Sequence, residues 1–530
     1  MSSRSVLFHL LAIMVVVALG AGLDVMEVDA AQYAGMSRDM MVSGDVLQLH
    51  YRGGDYLDKP PLLFWLSSLS FALFGVHDWS YRLPSILFAF LGLFATYRFT
   101  LLYHAREVAI RAMLMYGCSA AFFLMCNDVR CDTILTGSVM TAIWLGCAWL
   151  EQGKWRQLIG LSVAVAAGML AKGPIGAVAP ALAIGGQLVF TRKWHKLLDP
   201  RWLVALLIIG ALLLPMCIGL YQQHGWHGVR FYFWEQSFGR ITGENRWKDD
   251  STVFFFTHEV LWQLLPWTIA LLVGLWSALR SMVLRTHWPE YASMVGAVLT
   301  FVALSLSQFK LPHYLFVTVP LFAVVAARGS FLLTGWLQHA HLILAMVLWL
   351  VLSWLSYTVF PEARWPFFAF TMAMGVVVLL FVRRTTAEKS MHLVPFWIMI
   401  ALGVVLNGQF YPNVLRYQAN AKAGQWAAAQ GVKPGRFHTM QVSGGAIDYY
   451  AGYPVPWLSN AAEARDAMAP GLVIYTDANH RQELLDAGLV PDSELELLNF
   501  PAQRLSIPFL FPSSRATVLE PRFLLRYDRP

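Results

Sequence analysis

The sequence predicts an all-α polytopic membrane protein with a small α/β domain at its C-terminal end. Of the 530 residues, 57% are hydrophobic and only 13% are charged, whereas a soluble domain has about 25% charged residues. The mean hydropathy is +0.52. Apolar runs of roughly 18 to 22 residues recur over most of the chain, and each is long enough to cross a bilayer core of about 30 Å as a helix.

About thirteen segments have the length and polarity of membrane spans. The first, residues 6–23, also has the form of a signal peptide, but we interpret it as an uncleaved span because it anchors the polar segment that follows. The other predicted spans are residues 81–103, 108–126, 132–150, 157–171, 174–191, 202–221, 259–281, 290–306, 311–328, 336–359, 364–382 and 392–410.

The apolar run at 60–75 is only about 16 residues long, so we interpret it as a helix in the outer interface rather than a span. With that assignment, nearly all loop lysines and arginines fall on one side of the membrane, which the positive-inside rule makes the cytoplasm. The net charge of +7 is therefore an orientation signal. It does not indicate a nucleic-acid partner; the bilayer itself is the predicted partner.

Two large segments are predicted to lie on the outer face. Residues 24–80 form a first extracytoplasmic loop with juxtamembrane helices, within a membrane domain that comprises residues 1–410. Residues 411–530 are less apolar and form a small C-terminal extracytoplasmic α/β domain. In that domain, residues 471–476 read as a buried strand and residues 479–487 as the helix that follows it.

Ionisable residues at the ends of apolar runs are the main functional signal, because charge at a hydrocarbon boundary is costly. The topology predicts that four such clusters share the outer face. They are Asp29 with Asp58 and Lys59, the turn Asp128-Val129-Arg130-Cys131-Asp132, Lys172, and the segment Lys310-Leu311-Pro312-His313.

Each cluster also has a plainer structural explanation. Asp29 could cap a helix, the Arg130 turn could be a connector with an ion pair worth about 0–1 kcal/mol, and the two lysines could extend toward water. A connector, however, does not need two aspartates and an arginine at the hydrocarbon edge. Lys172 and Lys310 also lie on the side where lysine is disfavoured, which suits an anionic ligand such as a lipid phosphate.

These residue types indicate group transfer from a phosphate-bearing lipid. Lysine and arginine would neutralise the leaving phosphate, and a carboxylate would act as general base or stabilise oxocarbenium charge. A divalent metal ion is the one cofactor that the carboxylates suggest, with His313 or His258 as further ligands, although no spacing is diagnostic. The five cysteines lack metal-ligand spacing and read as buried small hydrophobes. Cys126 and Cys131 could pair in an oxidising compartment.

At these positions the sequence resembles the GT-C fold membrane glycosyltransferases. The similarity is greatest to the branch that contains the protein O-mannosyltransferases and the bacterial aminoarabinose transferase that decorates lipid A. The matching motifs are Asp29-x-x-x-Tyr33, Ser37-Arg38-Asp39-Met40, Gly44-Asp45, Tyr56-x-Asp58-Lys59-Pro60-Pro61-Leu62, Trp65, Phe74-Gly75, Arg82-Leu83-Pro84-Ser85, Asp132-Thr-Ile-Leu-Thr136, Ala171-Lys172-Gly173-Pro174 and Ser307-Gln-Phe-Lys310-Leu-Pro312-x-Tyr314.

The resemblance implies a role for each matching residue. The catalytic residues would be Asp29 and Asp132, and Asp58 would take the place of a family glutamate implicated in metal binding. The donor and phosphate-binding residues would be Lys59, Lys172, Tyr33, Tyr56, Arg130 and Lys310. The chain departs from the family where Ala30 follows Asp29 in place of a frequent glutamate, and where no motif histidine is found around residues 240–250.

The implied function is an inverting transfer of a sugar from a polyprenyl-phosphate donor to an outer-face lipid or glycan. The implied location is the bacterial inner membrane, with the active site and the C-terminal domain in the periplasm. A protein acceptor is the alternative within this class. A lipid-linked sugar flippase or transporter is the alternative from another class, but it would place charges through the bundle and show internal repeats. A non-catalytic scaffold would leave the charged turns unexplained.

Overall fold

The computed structural model of the protein describes residues 2–236, 239–242, 249–284, 288–384 and 386–528. Its membrane half is helical apart from one short hairpin in the first loop, formed by β1 (His50–Tyr51) and β2 (Gly54–Asp55). The helices are α1 (Ser3–Ala21), α2 (Asp29–Ser43), α3 (Leu62–Phe74), α4 (Asp78–Tyr103), α5 (Arg106–Gly117), α6 (Ala120–Asn127), α7 (Cys131–Gln152), α8 (Trp155–Lys172), α9 (Ile175–Phe190), α10 (Arg201–Arg230), α11 (Gly239–Thr242), α12 (Phe255–Gln263), α13 (Thr268–Val283), α14 (Ala292–Ser305), α15 (Val319–Ser330), α16 (Trp336–Thr358), α17 (Arg364–Arg384) and α18 (Ala387–Val405).

A helix, or a pair of helices bent at a short break, lies at each predicted span position. Among the described residues, eight helices are long and apolar enough to cross a membrane, or up to ten if each bent pair is one span. The bent pairs are α5–α6, at 51°, and α12–α13, at 117°. The polytopic all-α fold is therefore confirmed. The number of thirteen spans is not, because helices such as α9 and α14 are shorter than a span.

Helix α3 occupies the apolar run that we predicted to lie in the interface. It has 13 residues and is therefore about 20 Å long, which is shorter than a bilayer core of about 30 Å. Its solvent-facing side is apolar, with Leu69 and Leu73 more than half exposed. An interfacial position for this helix agrees with both its length and its exposed apolar side.

Two close approaches between backbones fix the central helices. A Cβ atom added at Gly137 of α7 would lie 2.2 Å from the carbonyl oxygen of Phe88 in α4. One added at Gly176 of α9 would lie 2.1 Å from the carbonyl carbon of Gly168 in α8. Only glycine allows such contact, and small residues commonly bring membrane helices together in this way. The ends of α7 and α8, which carry site residues, are positioned by this packing.

The C-terminal segment contains a mixed five-stranded sheet with the order β4-β3-β5-β7-β6. Strand β3 is parallel to β4 and β5, whereas β7 is antiparallel to β5 and β6. The predicted strand and helix are present as β5 and α23, so the α/β character of this segment is confirmed. The elements are α19 (Tyr411–Val414), α20 (Ala419–Ala429), β3 (Phe437–Met440), α21 (Gly445–Ala451), β4 (Trp457–Leu458), α22 (Ala461–Asp466), β5 (Leu472–Asp477), α23 (Ala478–Asp486), β6 (Ser493–Asn499), α24 (Ile507–Leu510), α25 (Pro512–Arg515) and β7 (Glu520–Tyr527).

Polar contacts hold the C-terminal domain against the first loop. Arg52 in the loop makes a two-point contact with Asp448 of α21, at 2.6 and 3.0 Å. The hydroxyl of Tyr450, also in α21, donates a hydrogen bond to Asp78 at the start of α4, at 2.9 Å. The domain therefore lies on the same face of the bundle as the first loop, as the topology predicts.

Candidate active site

All of the predicted catalytic and donor-binding residues except Tyr56 and Lys310 line one cavity of about 180 Å³ beside the first loop. Asp29 is the first residue of α2, Asp132 lies in the first turn of α7, and Lys172 is the last residue of α8. Each of these charges has the sign that the local helix dipole favours. The lining residues are Asp29, Tyr33, Asp58, Lys59, Arg130, Cys131, Asp132, Lys172, Phe309, Leu311, His313 and Tyr314.

Arg130 links two carboxylates that are distant from each other in sequence. Its Nη1 lies 2.9 Å from Asp29 Oδ2, and its Nε lies 2.6 Å from Asp128 Oδ2. Burial opposes the guanidinium charge, but Asp128 and Asp29 outweigh it and raise the pKa of Arg130 above its ordinary value. The same Nη1 lies 3.5 Å from His313 Nε2. Arg130 is therefore a permanent cation that orients Asp29.

Asp132 and Lys172 form a buried ion pair between α7 and α8. The Asp132 side chain is 4% exposed, and the Lys172 side chain is 16% exposed. The Lys172 ammonium also lies 3.7 Å from the centroid of the Tyr314 ring, in a cation–π contact. His313 Nε2 approaches the other oxygen of Asp132, at 3.9 Å. Asp132 thus holds Lys172 in place at the cavity wall, with His313 nearby.

Lys59 lies just before the two prolines, Pro60 and Pro61, that precede α3. Its ammonium lies 2.5 Å from Asp58 Oδ2, and Gln236 donates a hydrogen bond to the main-chain oxygen of Asp58. Burial opposes the charge on Lys59, but Asp58 outweighs it and raises the pKa of Lys59. Lys59 therefore stays protonated and presents a third cation to the cavity.

Tyr33 and Tyr56 both pack against the ring of Phe64. Their ring centroids lie 5.6 and 6.2 Å from that of Phe64, both in edge-on geometry. Tyr33 lines the cavity, whereas Tyr56 is not among the lining residues. Burial and the neighbouring acidic groups raise the pKa of both phenols well above the ordinary value. The two side chains are therefore neutral hydrogen-bonding groups and cannot act as bases at neutral pH.

Lys310 is not brought into the cavity. Its ammonium lies 3.2 Å from the carbonyl oxygen of Ser251 and 3.3 Å from the Ser251 hydroxyl. Its backbone N–H donates to Asp249 Oδ2 at 2.6 Å. The side chain is thus directed to the segment 249–251, and in this structure it holds that segment in place. Residues 243–248, where a family histidine was sought, lie outside the described residues.

The segment after Lys310 supplies three lining residues, of which only His313 was predicted to have a role, as a candidate metal ligand. A 3₁₀-helix, Pro312–Thr318, carries His313 and Tyr314 toward Asp132 and Lys172. The signal was present in the sequence, because Tyr314 belongs to the quoted motif around Lys310. The motif does not predict the direction in which each side chain points.

The residues at this site do not fit a metal ion. Within the ranges that the structure describes, no group of three or more His, Cys, Asp or Glu side chains could hold one. Asp58 is paired with Lys59, and His313 is next to Arg130. His258 is not a lining residue and instead pairs with Glu259 at 3.1 Å.

The arrangement presents three cations, each held by at least one carboxylate, and one accessible carboxylate, Asp29. Three cations, Lys59, Arg130 and Lys172, face the same cavity. The Asp29 side chain is 39% exposed, about ten times more than that of Asp132. Asp29 is therefore accessible to a substrate, whereas Asp132 is buried and paired with Lys172. Fixed cations in a partly buried cavity stabilise a leaving phosphate more strongly than they would in water.

The amino-acid sequence of this chain is similar to those of known proteins. The family model described as dolichyl-phosphate-mannose-protein mannosyltransferase matches residues 58–218. An undecaprenyl phosphate-alpha-4-amino-4-deoxy-L-arabinose arabinosyl transferase of Edwardsiella ictaluri is 27% identical over 325 residues, 59% of this chain and 55% of the relative. One from Pseudomonas savastanoi pv. phaseolicola is 25% identical over 408 residues, 73% of this chain and 74% of the relative. The match spans only about half the length of the first of these relatives.

The fold matches that of a solved membrane protein structure. The crystal structure of ArnT from Cupriavidus metallidurans bound to undecaprenyl phosphate superimposes with a TM-score of 0.76 and 17% identity, over 99% of this chain and 98% of that one. The apo structure of the same protein gives a TM-score of 0.71 and 18% identity. The predicted GT-C fold and the resemblance to the mannosyltransferase and aminoarabinose transferase branch are confirmed.

Proposed function

We propose that this chain is an inverting glycosyltransferase that moves a sugar from a polyprenyl-phosphate donor to a lipid or glycan acceptor. The observation that carries the proposal is the cavity in which three fixed cations surround an accessible Asp29. The names of the sequence relatives support the donor class, since they specify an undecaprenyl phosphate-linked aminoarabinose. The names do not establish which sugar this chain uses.

The phosphate of the donor is bound by Lys59, Arg130 and Lys172. The three ammonium and guanidinium groups are held by Asp58, Asp29 with Asp128, and Asp132. Because these pairs are preformed, the cations need little reorganisation when negative charge develops on the leaving oxygen. The neutral phenol of Tyr33 lines the cavity and offers a hydrogen-bonding group and a ring surface to the donor, and Tyr56 supports it by packing against the same Phe64 ring.

In the transfer step, an acceptor oxygen attacks the anomeric carbon of the sugar. The bond from that carbon to the phosphate oxygen breaks, the electron pair stays with the phosphate, and polyprenyl phosphate leaves with inversion at the anomeric carbon. Asp29 accepts the proton when the acceptor is a hydroxyl. A phosphate acceptor brings no proton to remove, and Asp29 then stabilises the positive charge on the sugar ring.

The proposed location is the bacterial inner membrane, with the active site and the C-terminal domain in the periplasm. The positive-inside distribution of lysine and arginine supports this orientation. A lipid A-like acceptor is the first candidate, in keeping with the names of the relatives. A protein acceptor is the second, because the matching family model carries the name of a protein mannosyltransferase.

The test is sugar transfer by the full-length protein in phospholipid nanodiscs. The donor is undecaprenyl phosphate-linked 4-amino-4-deoxy-L-arabinose, with a mannose-linked polyprenyl phosphate in a parallel reaction. Lipid A and a Ser/Thr-rich peptide are offered as acceptors. Donor-dependent labelling of lipid A is the expected result, and labelling of the peptide alone would select the second candidate. Donor translocation without transfer to any acceptor would instead support a transporter.

A matched pair of lysine variants tests the cation assignment. Lys59→Gln removes a cation that lines the cavity, and we expect it to lower kcat by roughly 100-fold or more. Lys310→Gln removes a lysine whose ammonium contacts Ser251 outside the cavity, and we expect a much smaller loss. An equal decrease in kcat in the two variants would show that Lys310 also belongs to the phosphate-binding residues.

A further inference from the structure

A second cavity lies at the opposite end of the bundle from the candidate active site. Its volume is about 580 Å³, within the range of roughly 300–1,000 Å³ for ligand pockets. It is lined by Ser5 near the start of α1. The far end of α1, at Ala21, accepts a hydrogen bond from Arg82, which also binds the carbonyl of Asn127 next to the Arg130 turn. A helix of 19 residues is about 28 Å long, so the two cavities are nearly a bilayer core apart.

One face of α5 and one face of α18 form the walls. The lining positions recur at intervals of three and four residues, which places them on a single stripe of each helix. In α5 the polar Glu107 and Arg111 precede Leu114 and Met115, with Ile110 between the two polar residues, and in α18 Lys389 and His392 precede Leu393 and Phe396. The last apolar residues therefore lie about one to two turns deeper than the first polar residue of each helix. The α5 stripe is Glu107, Ile110, Arg111, Leu114 and Met115, and the α18 stripe is Lys389, His392, Leu393 and Phe396.

Several polar hydrogen-bonding groups in this wall lack a protein partner within the described part of the chain. Trp267 is 1% exposed, and its buried Nε1 has no hydrogen-bond partner there. Both ring nitrogens of His392 are in the same situation. The guanidinium of Arg111 lies 3.5 Å from the centroid of the Phe331 ring, and the His392 ring lies 6.4 Å from it. Buried polar groups are normally satisfied, so the unpaired nitrogens of this wall are consistent with a hydrogen-bonding ligand.

The charge of the wall selects an anion. Arg111 and Lys389 contribute two positive charges, and Glu107 contributes one negative charge. The wall is therefore net positive by one and offers mainly N–H donors, which complement the singly charged phosphodiester of a phospholipid. Basic pockets between membrane helices on the cytoplasmic side bind anionic head groups in other proteins, and the positive-inside pattern predicts that this end is cytoplasmic.

We propose that this cavity binds one anionic phospholipid of the leaflet opposite the active site. The phosphate lies between Arg111 and Lys389, and the acyl chains follow Leu114, Leu393 and Phe396 toward the centre of the bundle. The order of polar and apolar residues along both helices matches the order of head group and chains in such a lipid. This site is independent of the proposed transfer reaction, because its residues are remote from the cavity that contains Asp29.

The test is lipid retention by the full-length protein, measured by native mass spectrometry after delipidation. The protein is titrated with palmitoyl-oleoyl phosphatidylglycerol, and phosphatidylcholine, undecaprenyl phosphate and inorganic phosphate are used in separate titrations. We expect one phosphatidylglycerol bound at least tenfold more tightly than phosphatidylcholine. Equal binding of the two diacyl lipids would overturn the proposal, as would retention of undecaprenyl phosphate alone. Saturation by inorganic phosphate alone would also overturn it.

Three variants identify the site, and a fourth is the control. Lys389→Gln and Arg111→Gln each remove one cation, and we expect each to weaken retention about tenfold. Leu393→Trp keeps every charge but fills the apolar part, and it should also abolish the single bound lipid. Arg384→Gln removes an exposed arginine at the end of α17 outside the cavity and should retain the lipid.

Arg111 also contacts Ser330, so Lys389→Gln and Leu393→Trp decide the outcome if Arg111→Gln fails to fold. Wild-type retention in both of these variants would refute the site.

Discussion

The buried pair of Asp132 and Lys172 gives the most quantitative prediction. Breaking a buried ion pair by removing one partner costs about 3–5 kcal/mol, because the other charge stays buried without compensation. Asp132→Asn leaves Lys172 with 16% exposure and the Tyr314 ring at 3.7 Å, so we expect the lower value, about 3 kcal/mol. Lys172→Gln leaves Asp132, only 4% exposed, and should cost at least as much. The double variant should cost little more than one single change.

The four proteins form a double-mutant cycle. The free energy of unfolding is measured by denaturant titration in one mixed-micelle condition. We expect a coupling energy of about 2–3 kcal/mol, at the upper end of the range for residues in direct contact. Single changes that cost less than about 1 kcal/mol, or losses that simply add, would contradict the buried pair. Either result would also remove the physical reason for treating Asp132 as the residue that positions Lys172.

Three further predictions concern the fold around the site. Gly137→Ala should lower the melting temperature strongly, since its Cβ would lie 2.2 Å from a carbonyl oxygen of α4, while Gly185→Ala, with nothing within 4 Å, should be neutral or mildly stabilising. Burial raises the pKa of Glu27, so its contribution to stability is complete below the ordinary pKa of about 4.5 and is lost as the pH rises through the folded value. Melting temperatures from pH 4 to 8 should therefore shift in favour of Glu27→Gln as the pH rises, and parallel curves would contradict this. Arg52→Gln breaks the contact with Asp448, whose side chain is 5% exposed, and should speed proteolytic release of the C-terminal domain; unchanged cleavage would show that the contact is not needed for docking.

The helix positions could be predicted because bilayer thickness imposes one length on every span. The breaks do not follow from span length. Ser119, which caps α6, lies in the first break and Pro266 lies in the second, and both residue types are local signals of a helix boundary. The bend angles of 51° and 117° depend on the packing of neighbouring helices, which the local sequence does not specify. These breaks affect the predicted number of membrane spans more than any other part of the prediction.

The site shows a similar division. The residues that converge were predicted from charge at the hydrocarbon boundary, since Asp29, Lys59, Arg130 and Lys172 do line one cavity. The direction of a side chain was not predictable, as Lys310 illustrates, because it lies in a matching motif but contacts the segment 249–251. Long-range partners such as Arg52 and Asp448 were also beyond the sequence, since nothing local links an arginine in a loop to an aspartate in a distant domain.

The central claim is that Asp29 touches the reacting atoms, and one comparison tests it most directly. Sugar transfer from a polyprenyl-phosphate donor is measured for wild type, Asp29→Asn and Asp39→Asn in nanodiscs. The two aspartates lie on the same helix, α2, with side chains 39% and 40% exposed, but only Asp29 lines the cavity. We expect kcat to fall by roughly 100-fold or more in Asp29→Asn, and to stay near wild type in Asp39→Asn. Equal activity of the two variants, with both folded, would remove Asp29 from the chemistry.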